Sequence, residues 1–172
     1  YKVNQDSYLQ LINGIVYGDD PRQGFVEGNT FYHPEMKFKF AFPAGWKLEN
    51  MPAQVNITAS DGKALMVFAT ARGTSLQDAA SSTLEEMKLT LQQSRNTTVN
   101  GLPALTTVSS QISQDQATGQ QQTVKVLSYF ISYSGTIFAF HGVAADADFG
   151  ANTRTFESSF ISFNKLSDPA KL

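Results

Sequence analysis

The stretch from Ser75 to Gln93, SLQDAASSTLEEMKLTLQQ, constrains this chain more than any other, because it is the one long segment with an unambiguous helical period. Leu76, Ala80, Leu84, Met87 and Leu91 recur every three or four residues and fall on one face, while Asp78, Glu85, Glu86 and Lys88 take the flanks. Ser75 is placed to cap the N-terminus, with Asp78 three residues on as its reciprocal partner, and no proline or glycine interrupts the run. A helix with a single apolar stripe must lay it on something. Almost everything on either side reads as strand, so the expected class is α+β: an antiparallel β-sheet packed against one long helix, plus a shorter C-terminal helix.

Composition fits that picture. Thirteen Phe and six Tyr in 172 residues, with only 16% charged, favour aromatic-filled sheets over a helical bundle. The net charge of -2 and the absence of any long basic run exclude broad attraction to a phosphate backbone, so nucleic acid is not an expected partner. No stretch approaches the apolar length of a membrane-spanning helix, and no membrane insertion is expected. Cysteine is absent, which removes disulfides, thiolate metal sites and cysteine nucleophiles. The chain starts at Tyr1 with no Met and no signal-peptide pattern, as expected of a processed or trimmed piece of something longer.

Near the N-terminus Tyr8, Leu11, Ile12 and Ile15 stand at helical spacing, with Gly14 placed to end a short helix. Val16 to Asn29, VYGDDPRQGFVEGN, has glycine or proline at four sites and reads as an irregular connector. The chain thus divides into residues 1–30, helix and connector, and residues 31–172, a sandwich domain. Phe38, Phe40 and Phe42 alternate with Lys37, Lys39 and Ala41 as a first strand, and Pro43-Ala44-Gly45 turns the chain into Trp46 and Leu48. Val55, Ile57 and Ala59 lead through an Asp61-Gly62 hairpin signal to Lys63–Thr70, apolar on both faces as a central strand is. Beyond the helix, Asn100-Gly101 makes a turn, and a strand whose alternation is weakened by Thr and Ser runs from Pro103 to Gln114. Thr123–Tyr133 and Thr136–Val143 pair across Ser134-Gly135. Ala144–Asn152 reads as an Asp-rich turn, Phe149, Thr153, Phe156 and Phe160 as a short helix, and Ile161–Leu166 as an edge strand or coil.

Two sets of residues resemble known families. Phe38 to Asn50, FKFAFPAGWKLEN, two further strands, the long helix, Asn100-Gly101-Leu102-Pro103-Ala104, the Tyr/Phe-rich hairpin and Phe156-Glu157-Ser158-Ser159-Phe160 together resemble the Mog1/PsbP-like α/β/α sandwich. The run from Ile12 to Phe25, INGIVYGDDPRQGF, continued by Phe31-Tyr32-His33-Pro34, resembles the join between catalytic and C-terminal domains in bacterial M48-type zinc metallopeptidases. In that family an HExxH helix and a downstream glutamate hold the zinc. Here the only histidines are His33 and His141, and neither opens such a motif. The second resemblance therefore implies a noncatalytic C-terminal accessory domain without its enzyme, in the bacterial periplasm or outer envelope. It implies no cofactor and no metal, and a partner that is the upstream peptidase domain or another peptide or protein.

Two other classes stay open: a stand-alone PsbP- or Mog1-like protein-binding module, and an independent hydrolase using His33 or His141. For His33 the competing reading is a structural hydrogen bond where connector meets strand, and for His141 a core-edge histidine. Asp146, Asp148 and Asn152 lack the ordered ladder of a calcium loop, and helix capping by Asp148 or Asn152 is the expected use. Ser94, Ser109 and Ser128 have no Gly-x-Ser-x-Gly context. Asp19, Asp20 and Glu27 sit among glycines, where solvation leaves no reason for acid–base work. Trp46 is in phase with Leu48 as a core plug. If exposed instead, it would join Tyr17, Arg22, Phe25, Tyr32 and His33 in a binding or interdomain surface, one that a second copy of the chain could cover as a weak homodimer.

Overall fold

Alternating and doubly apolar runs build two antiparallel sheets in the computed structural model, which describes residues 25–34, 36–50, 54–114, 119 and 121–166. In chain order the first elements are β1 (Phe25–Glu27), β2 (Thr30–His33), β3 (Phe38–Ala41), β4 (Lys47–Asn50), β5 (Val55–Thr58), β6 (Ala64–Ala71) and α1 (Leu76–Glu86). They are followed by β7 (Thr90–Val99), β8 (Leu102–Gln114), β9 (Gln121–Tyr133), β10 (Thr136–Ala145), α2 (Asp146–Phe160) and β11 (Asn164–Lys165). The large sheet runs β4-β5-β6-β10-β9-β8-β7 and the small one β1-β2-β3-β11. β6 is buried along almost its whole length, as its doubly apolar sequence requires.

Register divides the large sheet into two faces. Leu65, Val67, Phe130, Ala139, His141 and Val143 point one way, and α1 covers them, with Ala79 and Ala80 against Leu105, Phe130 and Ala139 and with Met87 among Leu65, Val67 and Val143. Met66, Phe68, Tyr129, Phe138, Phe140 and Gly142 point the other way, against α2 and the small sheet. There the phenylalanines meet. Phe38 lies 4.9 Å from Phe138, Phe40 4.9 Å from Phe68 and edge-on to Phe140 at 5.0 Å, and Phe140 stacks on Phe160 at 5.0 Å. Several fully buried rings, each worth roughly 1.5–3 kcal/mol of transfer free energy, make this face the main source of cohesion.

The α+β class is that read from the sequence, while several boundaries differ. The helix expected over 75–93 ends at Glu86, and residues from Thr90 belong to β7. Lys88 takes a left-handed φ of 56°, its N–H donates to Glu85 O and the Leu89 N–H to Leu84 O, the two bonds of a Schellman stop without glycine. The C-terminal helix is the longer of the two, 15 residues against 11, because Asp146–Asn152 is its first half rather than a turn. Its N-cap is Ala145 with no side-chain bond. Asp146 and Asp148 instead occupy the first turn, where carboxylates favour the helix dipole, and Asn152 Nδ2 donates to Asp148 O. At α1 Ser75 Oγ accepts from Asp78 N–H as expected, but Asp78 Oδ2 reaches back to Thr74 N–H. Phe25–Glu27, assigned to the connector, is the edge strand of the small sheet. Gly28 and Asn29 turn β1 into β2, and the expected N-terminal helix and the connector as far as Gly24 lie outside the described residues.

Candidate functional site

The face of α2 turned to the sheet is apolar because Phe149, Phe156 and Phe160 recur at helical spacing; Thr153, Arg154, Glu157 and Ser158 stand on its sides and back. Two grooves flank the helix. The wider, about 560 Å³, runs between α2 and the end of β3, with Phe42 and Pro43 facing Arg154, Glu157 and Ser158. The narrower, about 210 Å³, lies between α2 and β7–β9, where Arg95, Thr106 and Val108 face Thr153 and Glu157. Glu157 belongs to both.

The narrower groove has built-in polarity. Tyr129 OH donates to Glu157 Oε2 at 3.3 Å, and Thr106 Oγ1 donates to Ser128 O at 3.0 Å. Burial first, and then the Glu157 carboxylate, push the Tyr129 hydroxyl above its ordinary pKa; the Thr106 hydroxyl and the Arg95 guanidinium act in the opposite direction. Tyr129 therefore stays a neutral donor at physiological pH. A carboxylate, a guanidinium and threonine hydroxyls in one shallow depression can accept and donate hydrogen bonds to an extended polar segment, without a nucleophile or a metal-ligand set being assembled there. The signal that could have found this groove was the loss of alternation in β8, where threonine replaces apolar residues facing α2.

The residues singled out from sequence are not all brought together. Tyr17 and Arg22 lie outside the described residues. Phe25 is the register partner of Tyr32, and Tyr32 that of Lys39, which places this row across the small sheet. Tyr32 is half-buried, whereas His33 points the other way into the core: its Nδ1 accepts from Met36 N–H at 3.1 Å and its ring stacks 5.1 Å from Phe38. Trp46 is half-buried and meets Phe156 edge-on at 6.4 Å, the geometry of a core plug at the rim. His141 sits beneath α1 with its Nδ1 2.7 Å from Ser128 Oγ, a pairing that sequence separation concealed. Both residues are about 1% exposed or less, and Thr107 stands next in the same cross-strand row. Burial lowers the His141 pKa to about 4, so the ring is neutral and its hydrogen bond to Ser128 is a core contact.

No protein-family model matches the sequence, and no curated protein matches it. Solved structures do resemble it in fold. The Ran-binding protein Mog1p of Saccharomyces cerevisiae superposes with a TM-score of 0.55 at 12% identity, over 83% of this chain and 97% of that one. Cyanobacterial PsbP (CyanoP) from Synechocystis gives 0.54 at 12% identity, over 79% and 91%. A Bacteroides thetaiotaomicron protein gives 0.53 at 11% identity, over 83% of this chain and 50% of its own length. The fold is Mog1/PsbP-like.

Proposed function

We propose that this chain is a noncatalytic protein-binding module, and that the groove between α2 and the β7–β9 side of the large sheet receives a polar segment of its partner. The groove carries the reading: Arg95, Thr153 and Glu157 line it above the largely buried Thr106, and the buried Tyr129 hydroxyl holds Glu157 from beneath, while both histidines are committed to the interior. A protein of the same fold is a Ran-binding protein, which supports protein binding as the class of activity and says nothing of the partner here. A hydrolase centred on His33 or His141 is disfavoured because a substrate carbonyl has no approach to rings 1% exposed or less.

In its finer form the reading takes the partner to be the peptidase domain of a bacterial envelope zinc metallopeptidase, with this chain as its C-terminal accessory domain in the periplasm or outer envelope. The support is the resemblance of INGIVYGDDPRQGF to the interdomain join of that family. The complete gene product is the test: an HExxH domain upstream is expected. With that domain made separately, amide shifts should centre on Arg95, Thr106, Thr153 and Glu157, and Arg95→Glu with Glu157→Lys should weaken binding about tenfold. Unaltered affinity in that variant would discard the groove. A second reading, a stand-alone binding module, is favoured by the coverage of 97% of the Mog1p chain, and it gains if no peptidase domain is encoded.

A further inference from the structure

β7 closes one edge of the large sheet, and among the described residues no strand lies on its outer side. It is ten residues long, and Thr90 to Asn96 and Thr98 are all exposed. We infer that this edge is a self-association site: the β7 strands of two copies pair antiparallel about a two-fold axis at Asn96, continuing the sheet from one copy into the next. The inference goes beyond the binding reading above and stands apart from the groove's occupant.

The hydrogen-bond phase of β7 follows from its hairpin. Val99 and Leu102 close a two-residue turn, and Asn100 and Gly101 have φ of 49° and 82°, as a type I′ turn requires. The closing pair of such a hairpin exchanges both backbone bonds, and the pairs then alternate. Val99, Thr97 and Arg95 therefore bond inward to β8, while Thr98, Asn96 and Ser94 direct their N–H and C=O groups outward. Pro103, which has no N–H to give, stands opposite Thr98 at a pair that needs none.

Three outward residues at two-residue spacing match their own copy. A two-fold at Asn96 sets Asn96 opposite Asn96, Ser94 opposite Thr98 and Arg95 opposite Thr97, so all three outward residues of each copy bond and no two like charges meet. A two-fold one residue away, at Arg95 or Thr97, would turn the bonding groups out of phase, and at Arg95 it would also oppose two arginines. The flanking side chains are glutamine, serine, asparagine and threonine, which offer no apolar pocket for an unrelated peptide but make cross-strand hydrogen bonds with themselves. The devices that protect sheet edges are placed elsewhere: the register shift in β7 falls at Leu91/Gln93, clear of Ser94–Thr98, and the opposite edge, β4, is four residues long with Lys47 and Glu49 exposed. So short a contact makes a weak dimer.

Sedimentation velocity of the full chain up to about 1 mM should show reversible dimerisation. Asn96→Pro removes an outward N–H and no bond to β8, so it should abolish the dimer while circular dichroism and the thermal midpoint stay near wild type. Asn96→Lys and Asn96→Asp should each weaken dimerisation about fivefold by opposing like charges, and an equimolar mixture of the two should restore it as a heterodimer. The mixture also covers the case in which the proline variant fails to fold. A chain monomeric at every concentration overturns the proposal, as does a dimer indifferent to these changes. So does concentration-independent protection of the Ser94, Asn96 and Thr98 amides, which would mean that another segment of the same chain covers the edge.

Discussion

Gly142 of β10 leaves room for the ring of Phe156 and for nothing else: a Cβ at Gly142 would stand 2.5 Å from Phe156 Cδ2 and 2.8 Å from Cδ1. Phe156 is fully buried and also packs on Phe160 and Trp46, so the ring has nowhere to retreat. The glycine is what lets α2 lie this close to the large sheet, and through α2 it sets the width of both grooves.

Gly142→Ala should therefore destabilise the fold by about 1–3 kcal/mol through overpacking, although alanine suits a strand better than glycine does. Phe156→Leu should cost about 1 kcal/mol or more alone, yet recover part of the loss in the double variant. Chemical denaturation of the four proteins measures the coupling. Strictly additive losses would mean that the two residues do not share this space.

His141 sets an acid limit on stability. Its folded pKa is about 4 against an ordinary 6.5, so between these values the unfolded chain holds a proton that the folded chain does not. Stability is then fully present above about pH 6.5 and falls as the pH drops towards 4, by roughly 3 kcal/mol in total. Urea midpoints at pH 7, 5.5 and 4.5 should fall in that order. His141→Asn can still bond Ser128 without titrating, and should flatten the slope by about one proton; an unchanged slope would assign the acid sensitivity to other groups.

What the sequence conveyed follows from which physics is local. Asn100-Gly101 and Ser134-Gly135 are read correctly because a two-residue hairpin needs positive φ at both positions, and all four residues show it. The phenylalanines of β3 and α2 are read as core because aromatic alternation has few other uses. The end of α1 was illegible: Leu91 continues the apolar period by coincidence and is 49% exposed on β7. Asp146–Asn152 looked like a turn because aspartate and glycine favour turns, whereas here the aspartates serve the first turn of a helix. The groove depends on Arg95, Thr106 and Glu157, which are far apart in sequence and meet only through β-sheet register and the docking of α2.

Lys88 exposes the cost of that illegible stop. A left-handed conformation at a non-glycine residue costs roughly 1–2 kcal/mol, while the Schellman bonds at Glu85 and Leu84 require it. Lys88→Gly should relieve the strain and return part of the gain as unfolded-state entropy, for a net stabilisation of about 0.5–1 kcal/mol. Thermal midpoints check the sign. A decrease would mean that Lys88 makes contacts worth more than the strain.

Asn100 has a second duty that its turn signature conceals. Its Nδ2 donates to Ile161 O at 3.0 Å and to Phe163 O at 2.7 Å, so the β7–β8 turn satisfies carbonyls just beyond the end of α2. Asn100→Gly separates the two roles, since glycine accepts the φ of 49° without strain but offers no amide. The turn should survive with β7 and β8 in register, while the loss of an exposed bond to Ile161 O and a partly buried one to Phe163 O costs about 1–2 kcal/mol. Hydrogen exchange locates the effect: amides at the end of α2 and in β11 should exchange faster, with those of β8 and β9 unchanged. Uniform acceleration over the whole sheet would show that Asn100 acts through the turn alone.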